Sequence, residues 1–180
     1  MTNDLEPASS TSAPTTNIYI GLGVNLGDRA HQLQRALEEM EKEGIKVTQQ
    51  SALYETEAWG YEDQPAFLNQ TVEVSTRLSP IDLLDRLQVI EKRLGRQERK
   101  RWHQREIDLD ILYYSDQIVK TPDLQIPHPY VRERNFVLVP LAEIAGTFVD
   151  PETGESIQAA LKQCTDSNTL TLYPDNRRSL

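Results

Sequence analysis

Alternating apolar and polar positions predict most of the strands in this chain, because side chains two apart in a strand lie on one face. Four segments carry this pattern or a short buried apolar run: residues 17–24, 45–55, 67–77 and 105–113. Apolar positions three and four apart predict two amphipathic helices, at residues 28–42 and 80–94. The order β-α-β-β-α-β predicts an α+β fold with a ferredoxin-like core, in which helices cover one face of an antiparallel sheet.

The ends of the chain complete the predicted organisation. Residues 1–16 are rich in Ser, Thr and Pro and have no periodic pattern, so we expect a disordered tail. Residues 17–180 are expected to form a single domain with extra C-terminal helices at residues 136–144 and 156–162. Pro140 should limit or kink the first of these helices.

The charge of the chain is acidic overall and basic in one place. The formal net charge of the 180 residues is -9, which argues against a general nucleic-acid or membrane-surface binder. Seven of the 19 lysines and arginines nevertheless lie within residues 92–105. Cys164 is the one cysteine, which suits a reducing compartment, and no apolar run approaches the ~20 residues that cross a bilayer. We therefore expect a cytoplasmic protein. Separately, we expect it to be a monomer.

Asp108 and Asp110 are the strongest sign of chemistry. They share one face of the predicted strand, where two carboxylates repel each other unless a cation lies between them. Mg²⁺ is commonly bound by one or two carboxylates together with substrate phosphates. An Asp-x-Asp pair also occurs on solvated strands and in sugar-nucleotide transferases, so the pair alone leaves those alternatives open.

The basic segment directly precedes this pair. Arginine offers planar, two-pronged hydrogen bonding to phosphate, so the segment suggests a mobile lid over Mg²⁺-bound phosphates, with residues 95–105 ordering when ligands bind. The alternative is a solvated charged hairpin. His128 lies between two prolines and near arginines, which favours contact with phosphate.

A long loop with aromatic residues precedes the third predicted strand. Trp59, Tyr61 and Phe67 could stack a flat heterocycle, and Asn69 could bind its edge through a paired donor and acceptor. Alternatively, Phe67 belongs to the core and Trp59 anchors the loop. Residues 23–27, with a glycine at each end, are interpreted as a tight turn rather than a phosphate-binding loop.

Taken together, these segments resemble the 6-hydroxymethyl-7,8-dihydropterin pyrophosphokinases of the folate pathway. The matching pieces lie in order along the chain: residues 19–27, 54–60, 63–69, 91–96, 101–102, 105–112 and 126–141. The resemblance implies that ATP gives its β,γ-diphosphate to the pterin hydroxymethyl group and that AMP is released. It also implies two Mg²⁺ ions bound by Asp108 and Asp110, and no nucleic-acid or membrane partner.

The resemblance further implies roles for other positions of this sequence. Loop positions that engage the phosphates and serve catalysis match Arg96, Arg101 and Arg105. Positions near ATP match Gln88, Glu91, Ile111, His128 and Arg134. Positions of the pterin pocket match Thr56, Trp59, Phe67, Asn69, Trp102 and Phe136, the last as a stacking ring.

The chain departs from the family pattern at four places. His103-Gln104 replaces a usual Gly-Pro, Glu98 stands where an Arg is frequent, Val24 replaces a Ser, and Glu57 replaces a Pro. These differences bear on the geometry of the basic loop more than on the reaction. The alternatives from other classes are an Asp-x-Asp enzyme such as a sugar-nucleotide transferase, and a ferredoxin-like RNA-binding module. The latter needs aromatic residues on the central strands and a basic sheet face, which this sequence does not supply.

Overall fold

The computed structural model describes residues 13–57, 65–95 and 107–174. Its strands are β1 (Thr15–Val24), β2 (Lys46–Gln50), β3 (Tyr54–Thr56), β4 (Phe67–Thr76), β5 (Asp108–Tyr114), β6 (Val119–Lys120), β7 (Gln125–Ile126) and β8 (Leu170–Leu172). Its helices are α1 (Arg29–Lys42), α2 (Pro80–Arg93), α3 (Asn135–Ala145) and α4 (Ile157–Gln163). The predicted helix starts are confirmed, since Asp28, Ser79 and Ser156 cap α1, α2 and α4 with side-chain oxygens.

The main sheet is antiparallel and has the order β5-β1-β4-β3-β8, with β2 also paired to β4. This order places the first and third predicted strands at the centre, as a ferredoxin-like core requires. Alternate residues of β1, among them Ile18, Ile20 and Leu22, pack with Leu33 of α1 and Leu87 of α2 in the main core. The ferredoxin-like fold prediction is therefore confirmed.

The opposite face of the sheet is also covered: α1 and α2 lie on one face, as predicted, and the C-terminal helices α3 and α4, whose place was not predicted, lie on the other. Tyr19, Leu112 and Tyr113 form a second apolar cluster with α3 and α4. The ring of Phe148 meets those of Tyr19 and Tyr113 edge-on, with centroids 5.1 Å apart in both pairs. Large apolar side chains on both faces of β1 and β5 require a layer on each side.

A bulge in β5 corrects the predicted face of Tyr113. Tyr19 pairs with Tyr113, but its neighbour Ile20 pairs with Ile111, which leaves Leu112 as an extra residue on β5. An extra residue reverses the alternation of side chains beyond it. Strict alternation in residues 105–113 predicts that Tyr113 shares a face with Ile107, Leu109 and Ile111. Tyr113 instead joins the second cluster, whereas Ile111 stays in the main core.

The single strand predicted at residues 45–55 is instead two strands, β2 and β3. Between them, the N–H of Thr71 on β4 donates to the Ser51 hydroxyl, and the side-chain amide of Gln70 donates to the Ser51 carbonyl, both at 3.0 Å. Side chains therefore replace the backbone ladder at this point. The next N–H, of Ala52, donates to the Glu143 carboxylate of α3 at 3.0 Å, and the Tyr54 hydroxyl donates to the same carboxylate at 2.8 Å.

The termini differ from the prediction in smaller ways. β1 begins at Thr15, two residues before the predicted start, and β8 was not predicted. Residues 1–12 lie outside the described residues, so the disordered tail stays a prediction. In the described ranges, no helix is long and apolar enough to cross a membrane.

Candidate active site

Two glycines of β1 separate the acidic pair from β4. Asp108 lies opposite Gly23, and Gly23 lies opposite Asn69. In the neighbouring row, Asp110 lies opposite Gly21. Directly paired residues of a sheet present their side chains on the same face. Because Gly21 and Gly23 have no side chains, the backbone of β1 is uncovered between the carboxylates and the Asn69 amide. We call this part of the sheet the glycine floor.

A side chain at Gly23 would face Asn69 across this floor. A Cβ added at Gly23 would lie 3.5 Å from Oδ1 of Asn69, which is ordinary van der Waals contact. Gly27, at the other end of the predicted turn, has a φ of +67°. The turn interpretation therefore holds for Gly27, whereas Gly23 belongs to the strand. Gly21 and Gly23 are two residues apart, as are Asp108 and Asp110. This equal spacing is the sequence signal from which the glycine floor could have been predicted.

Asp108 and Asp110 lie on one face before the bulge, as predicted. Asp108 is partly buried and Asp110 is exposed. The described residues contain no group of three or more His, Cys, Asp or Glu side chains suited to a metal ion. Mg²⁺ is often bound by two protein carboxylates alone, with phosphates and water completing its coordination shell. The residues present therefore fit that ion.

Helix α2 supports the acidic strand through Glu91. This side chain is 4 % exposed, and its Oε1 accepts a 2.8 Å hydrogen bond from the N–H of Leu109. Gln88, one turn earlier on α2, is exposed. Ile111 is buried in the main core. Gln88, Glu91 and Ile111 match family positions near ATP. Of these three residues, Gln88 alone has an exposed side chain.

A turn after β7 brings His128 beside the acidic strand. The backbone N–H of His128 donates to the carbonyl of Leu112 at 2.9 Å. The imidazole Nδ1 accepts from the backbone N–H of Tyr130 at 3.2 Å. Burial lowers the pKa of His128 below its ordinary value, Asp110 opposes this shift, and Arg134 adds to it. The imidazole is therefore neutral at pH 7 and lies within electrostatic reach of both charges.

Arg134 lies between two aromatic rings at the start of α3. Its guanidinium carbon is 4.6 Å from the ring centroid of Tyr130 and 5.6 Å from that of Phe136. Cations are attracted to ring faces at these distances. Tyr130, which is 49 % exposed, was missed by the sequence reasoning because no spacing or composition signal pointed to it.

On the other side of the floor, Thr56, Phe67 and Asn69 lie together on β3 and β4. Thr56 pairs with Phe67, and the Asn69 amide donates to the Thr56 hydroxyl at 2.9 Å. Phe67 is partly buried and belongs to neither of the two apolar clusters of the described residues. Its place beside two polar side chains favours the pocket interpretation over the core one.

Six predicted site residues lie outside the described residues: Trp59, Tyr61, Arg96, Arg101, Trp102 and Arg105. The lid predicted at residues 95–105 also lies outside them, apart from its first residue. The described candidates nevertheless lie close together. Asp108, Gly23 and Asn69 follow one another across three paired strands, and Asn69 is bonded to Thr56, with both of these polar residues buried. His128 interacts electrostatically with Asp110 and with Arg134. The group contains carboxylates, an imidazole, a guanidinium and an amide.

Comparison with known proteins relates this chain to one protein family. Residues 19–146 match the model of the 7,8-dihydro-6-hydroxymethylpterin-pyrophosphokinase (HPPK) family. The chain is 40% identical over 153 residues to 2-amino-4-hydroxy-6-hydroxymethyldihydropteridine pyrophosphokinase of Aquifex aeolicus, which covers 85% of this chain and 92% of that protein. It is also 43% identical over 149 residues to the mitochondrial folate synthesis bifunctional protein of Pisum sativum, and there it spans 82% of this chain but 29% of the relative.

The fold has solved counterparts as well. The crystal structure of wild-type Plasmodium falciparum HPPK-DHPS with pteroate superposes with a TM-score of 0.67 and 17% identity, covering 86% of this chain and 43% of that one. At that identity the likeness concerns the fold alone. The family match over most of the chain and the close relative of similar length decide the assignment: this chain belongs to the HPPK family.

Proposed function

We propose that this chain transfers diphosphate from ATP to the hydroxymethyl group of 6-hydroxymethyl-7,8-dihydropterin, releasing AMP, in folate biosynthesis. Membership of the HPPK family supports this reaction. The observation that carries it on the structural side is the pair Asp108 and Asp110, which faces Asn69 across the floor formed by Gly21 and Gly23. Acidic and amide groups thus flank one surface, as a reaction between a polyphosphate and a pterin requires.

Asp108 and Asp110 are the residues that would bind Mg²⁺, and we expect two ions. When bound, the metal neutralises the phosphate charge that develops as the diphosphoryl group is transferred. The part of Glu91 is to hold the backbone between the two carboxylates, through its bond to Leu109. The protein thus contributes ligands whose spacing is set by the sheet and supported from α2.

The nucleotide lies on the side of His128 and Arg134 in this proposal. Arg134 supplies positive charge to the phosphates, and the neutral His128 supplies a hydrogen bond without adding charge. Gln88, Glu91 and Ile111 complete the proposed nucleotide side. Arg96, Arg101 and Arg105 are proposed, from the sequence alone, to contact the phosphates during transfer.

In this proposal the pterin lies between Asn69, with Thr56, and Phe136, whose ring also contacts Arg134 of the nucleotide side. Asn69 binds the heterocycle edge, and its amide is oriented by the hydrogen bond to Thr56. The aromatic residues proposed for this pocket are Phe67, Phe136, Trp59 and Trp102.

The chemical step is a displacement at the β-phosphorus of ATP. The hydroxymethyl oxygen attacks this phosphorus, and the bond from it to the oxygen that bridges to the α-phosphate breaks. AMP leaves as the hydroxyl proton is lost.

The decisive test is release of AMP that depends on the hydroxymethyl pterin. The wild-type chain should release AMP with ATP, Mg²⁺ and pterin together, and Asp110→Ala should lose nearly all of this activity while remaining folded. Asp116→Ala, which removes an exposed carboxylate in the turn after β5, is the matched control and should stay active. Turnover of a nucleotide sugar without pterin would favour the transferase alternative instead.

The compartment and the assembly state remain proposals. Cys164 is partly buried and free, which suits the cytoplasm. We also propose that the chain acts as a monomer. Sedimentation at micromolar concentration tests this, and a mass of twice 20.6 kDa would contradict it.

A further inference from the structure

A buried carboxylate joins the C-terminal part of the chain to the acidic strand. Asp150 is 1 % exposed, and its Oδ2 accepts a 2.8 Å hydrogen bond from the hydroxyl of Tyr113. Its Oδ1 accepts from the backbone N–H groups of Glu152 and Thr153, at 2.8 and 3.2 Å. Asp150 thus fixes both its own turn and the end of β5.

Arg132 connects the same turn to the segment between His128 and Arg134. One of its terminal nitrogens lies 3.7 Å from Oδ2 of Asp150 and donates to Thr153 Oγ1 at 2.8 Å. The other donates to the carboxylate of Glu155. A guanidinium with three partners on one turn is fixed in place, and the backbone that carries it is fixed too.

A second connection lies on the other side of Arg134. The N–H of Asn135 donates to Oδ2 of Asp166 at 2.9 Å, and its side-chain amide donates to the Asp166 carbonyl. Asp166 therefore satisfies N–H donors at the start of α3, where the Arg134 side chain makes no capping hydrogen bond. Arg134 is thus flanked by two neighbours that are each bonded to the C-terminal segment.

We propose that Asp150 and Asp166 are positioning residues for the nucleotide subsite: acting through Arg132 and Asn135, they fix the backbone on both sides of Arg134. The inference rests on the proposed function, in which Arg134 contacts the nucleotide. Both carboxylates lie beyond residue 146, where the match to the family model ends. The C-terminal segment therefore serves the active site of this chain without touching a substrate.

Coupling between variants tests this proposal. Binding of ATP with Mg²⁺ is measured by isothermal titration for Arg132→Met, for Arg134→Ala and for the double variant. We expect Arg132→Met to weaken ATP binding about fivefold or more, because small displacements of a binding group are costly. In the Arg134→Ala background the same change should add less than about twofold, since residues that act through each other are not additive.

Three further variants separate positioning from general damage. Arg132→Lys keeps a charge beside Asp150 and should restore part of the affinity. Tyr113→Phe keeps the ring contact with Phe148 and removes the hydroxyl donor, so it provides a mild test if Arg132→Met does not fold. Arg86→Met removes a different ion pair, with Glu43, and should leave ATP binding unchanged.

The outcomes are distinct. Losses of ATP affinity that multiply in the double variant overturn the proposal, because Arg132 would then act independently of Arg134. Asp166→Ala removes the carboxylate that accepts from the Asn135 N–H and tests the other side of Arg134. Unchanged ATP binding in folded Arg132→Met overturns the proposal. If Arg132→Met does not fold, unchanged ATP binding in both Tyr113→Phe and Asp166→Ala overturns it. A wild-type chain that releases no pterin-dependent AMP would instead overturn the proposed function, and this is measured first.

Discussion

The carboxylate of Glu91 on α2 accepts a hydrogen bond from the backbone N–H of Leu109, which lies between Asp108 and Asp110 on β5. The contact is 2.8 Å long and buried. β5 stands at one end of the strand order, so this N–H points away from β1 and toward α2. A helix side chain thus takes the place of a neighbouring strand just where the acidic pair lies.

Glu91→Ala should therefore destabilise the chain and impair the acidic pair. The Leu109 N–H would lose its partner while buried, which costs about 1–3 kcal/mol. Glu91→Gln keeps an oxygen acceptor and should cost much less. Urea unfolding of both variants measures the free energies of unfolding. Equal stability of Glu91→Ala and wild type, with weaker ATP binding, would favour direct contact between Glu91 and the nucleotide instead.

The helices α1 and α2 and the strand β4 could be predicted because their patterns are local. Apolar spacing in α1 and α2 and the caps Asp28 and Ser79 lie within a few residues of each other. The shared face of Asp108 and Asp110 follows from strand geometry in the same way. What the sequence pattern supplies is thus the identity of the elements and the residues grouped on one face of each.

The features that were missed depend on partners far apart in the chain. The break between β2 and β3 depends on hydrogen bonds of Ser51 with Gln70 and Thr71, which lie 19 and 20 residues away in the chain. The bulge at Leu112 follows from pairing with β1 and from apolar layers on both faces of the sheet. The support of Glu91 for Leu109 likewise joins two elements, so the motif match indicated a position near the nucleotide but not its backbone contact.

Gly23→Ala should raise stability and lower activity. The new Cβ would make only ordinary contact with Asn69, and replacing a strand glycine by alanine typically stabilises by about 0.5–1 kcal/mol. The same methyl group would occupy the floor between Asp108 and Asn69, where we propose that the substrates meet. Thermal unfolding and the AMP-release assay on one preparation measure both effects. Full activity in a stabilised variant would show that no ligand approaches this floor.

Acid should weaken the contribution of Glu155 to stability. Hydrogen bonds from Arg132 and Gln163 hold the pKa of Glu155 below its ordinary value of about 4.5, so the unfolded chain binds this proton more tightly than the folded one. The stabilising effect is therefore complete above about pH 4.5 and is lost as the pH falls through the lower folded value. The difference in unfolding temperature between wild type and Glu155→Gln should shrink from neutral to acidic pH.

A variant without Arg132 tests whether Arg132 causes the lowered pKa of Glu155. When Glu155→Gln is added to Arg132→Met, the further change in unfolding temperature should be small at every pH, because the cation that lowers the carboxyl pKa is gone. A pH-dependent change that persists at full size in this background would assign the effect to Gln163 or to another neighbour.

Phe136→Ala should weaken pterin binding far more than ATP binding. Phe136 is partly buried at the start of α3, and one partner of its ring in the structure is the guanidinium of Arg134 at 5.6 Å. Stacking on a flat heterocycle contributes on the order of 1 kcal/mol beyond burial, so the affinity for pterin should fall about fivefold or more. Phe136→Tyr keeps the ring and should retain most of it. ATP affinity should change little, because Tyr130 still contacts Arg134. Equal losses for both ligands in a folded Phe136→Ala would assign Phe136 to the support of Arg134 rather than to the pterin pocket.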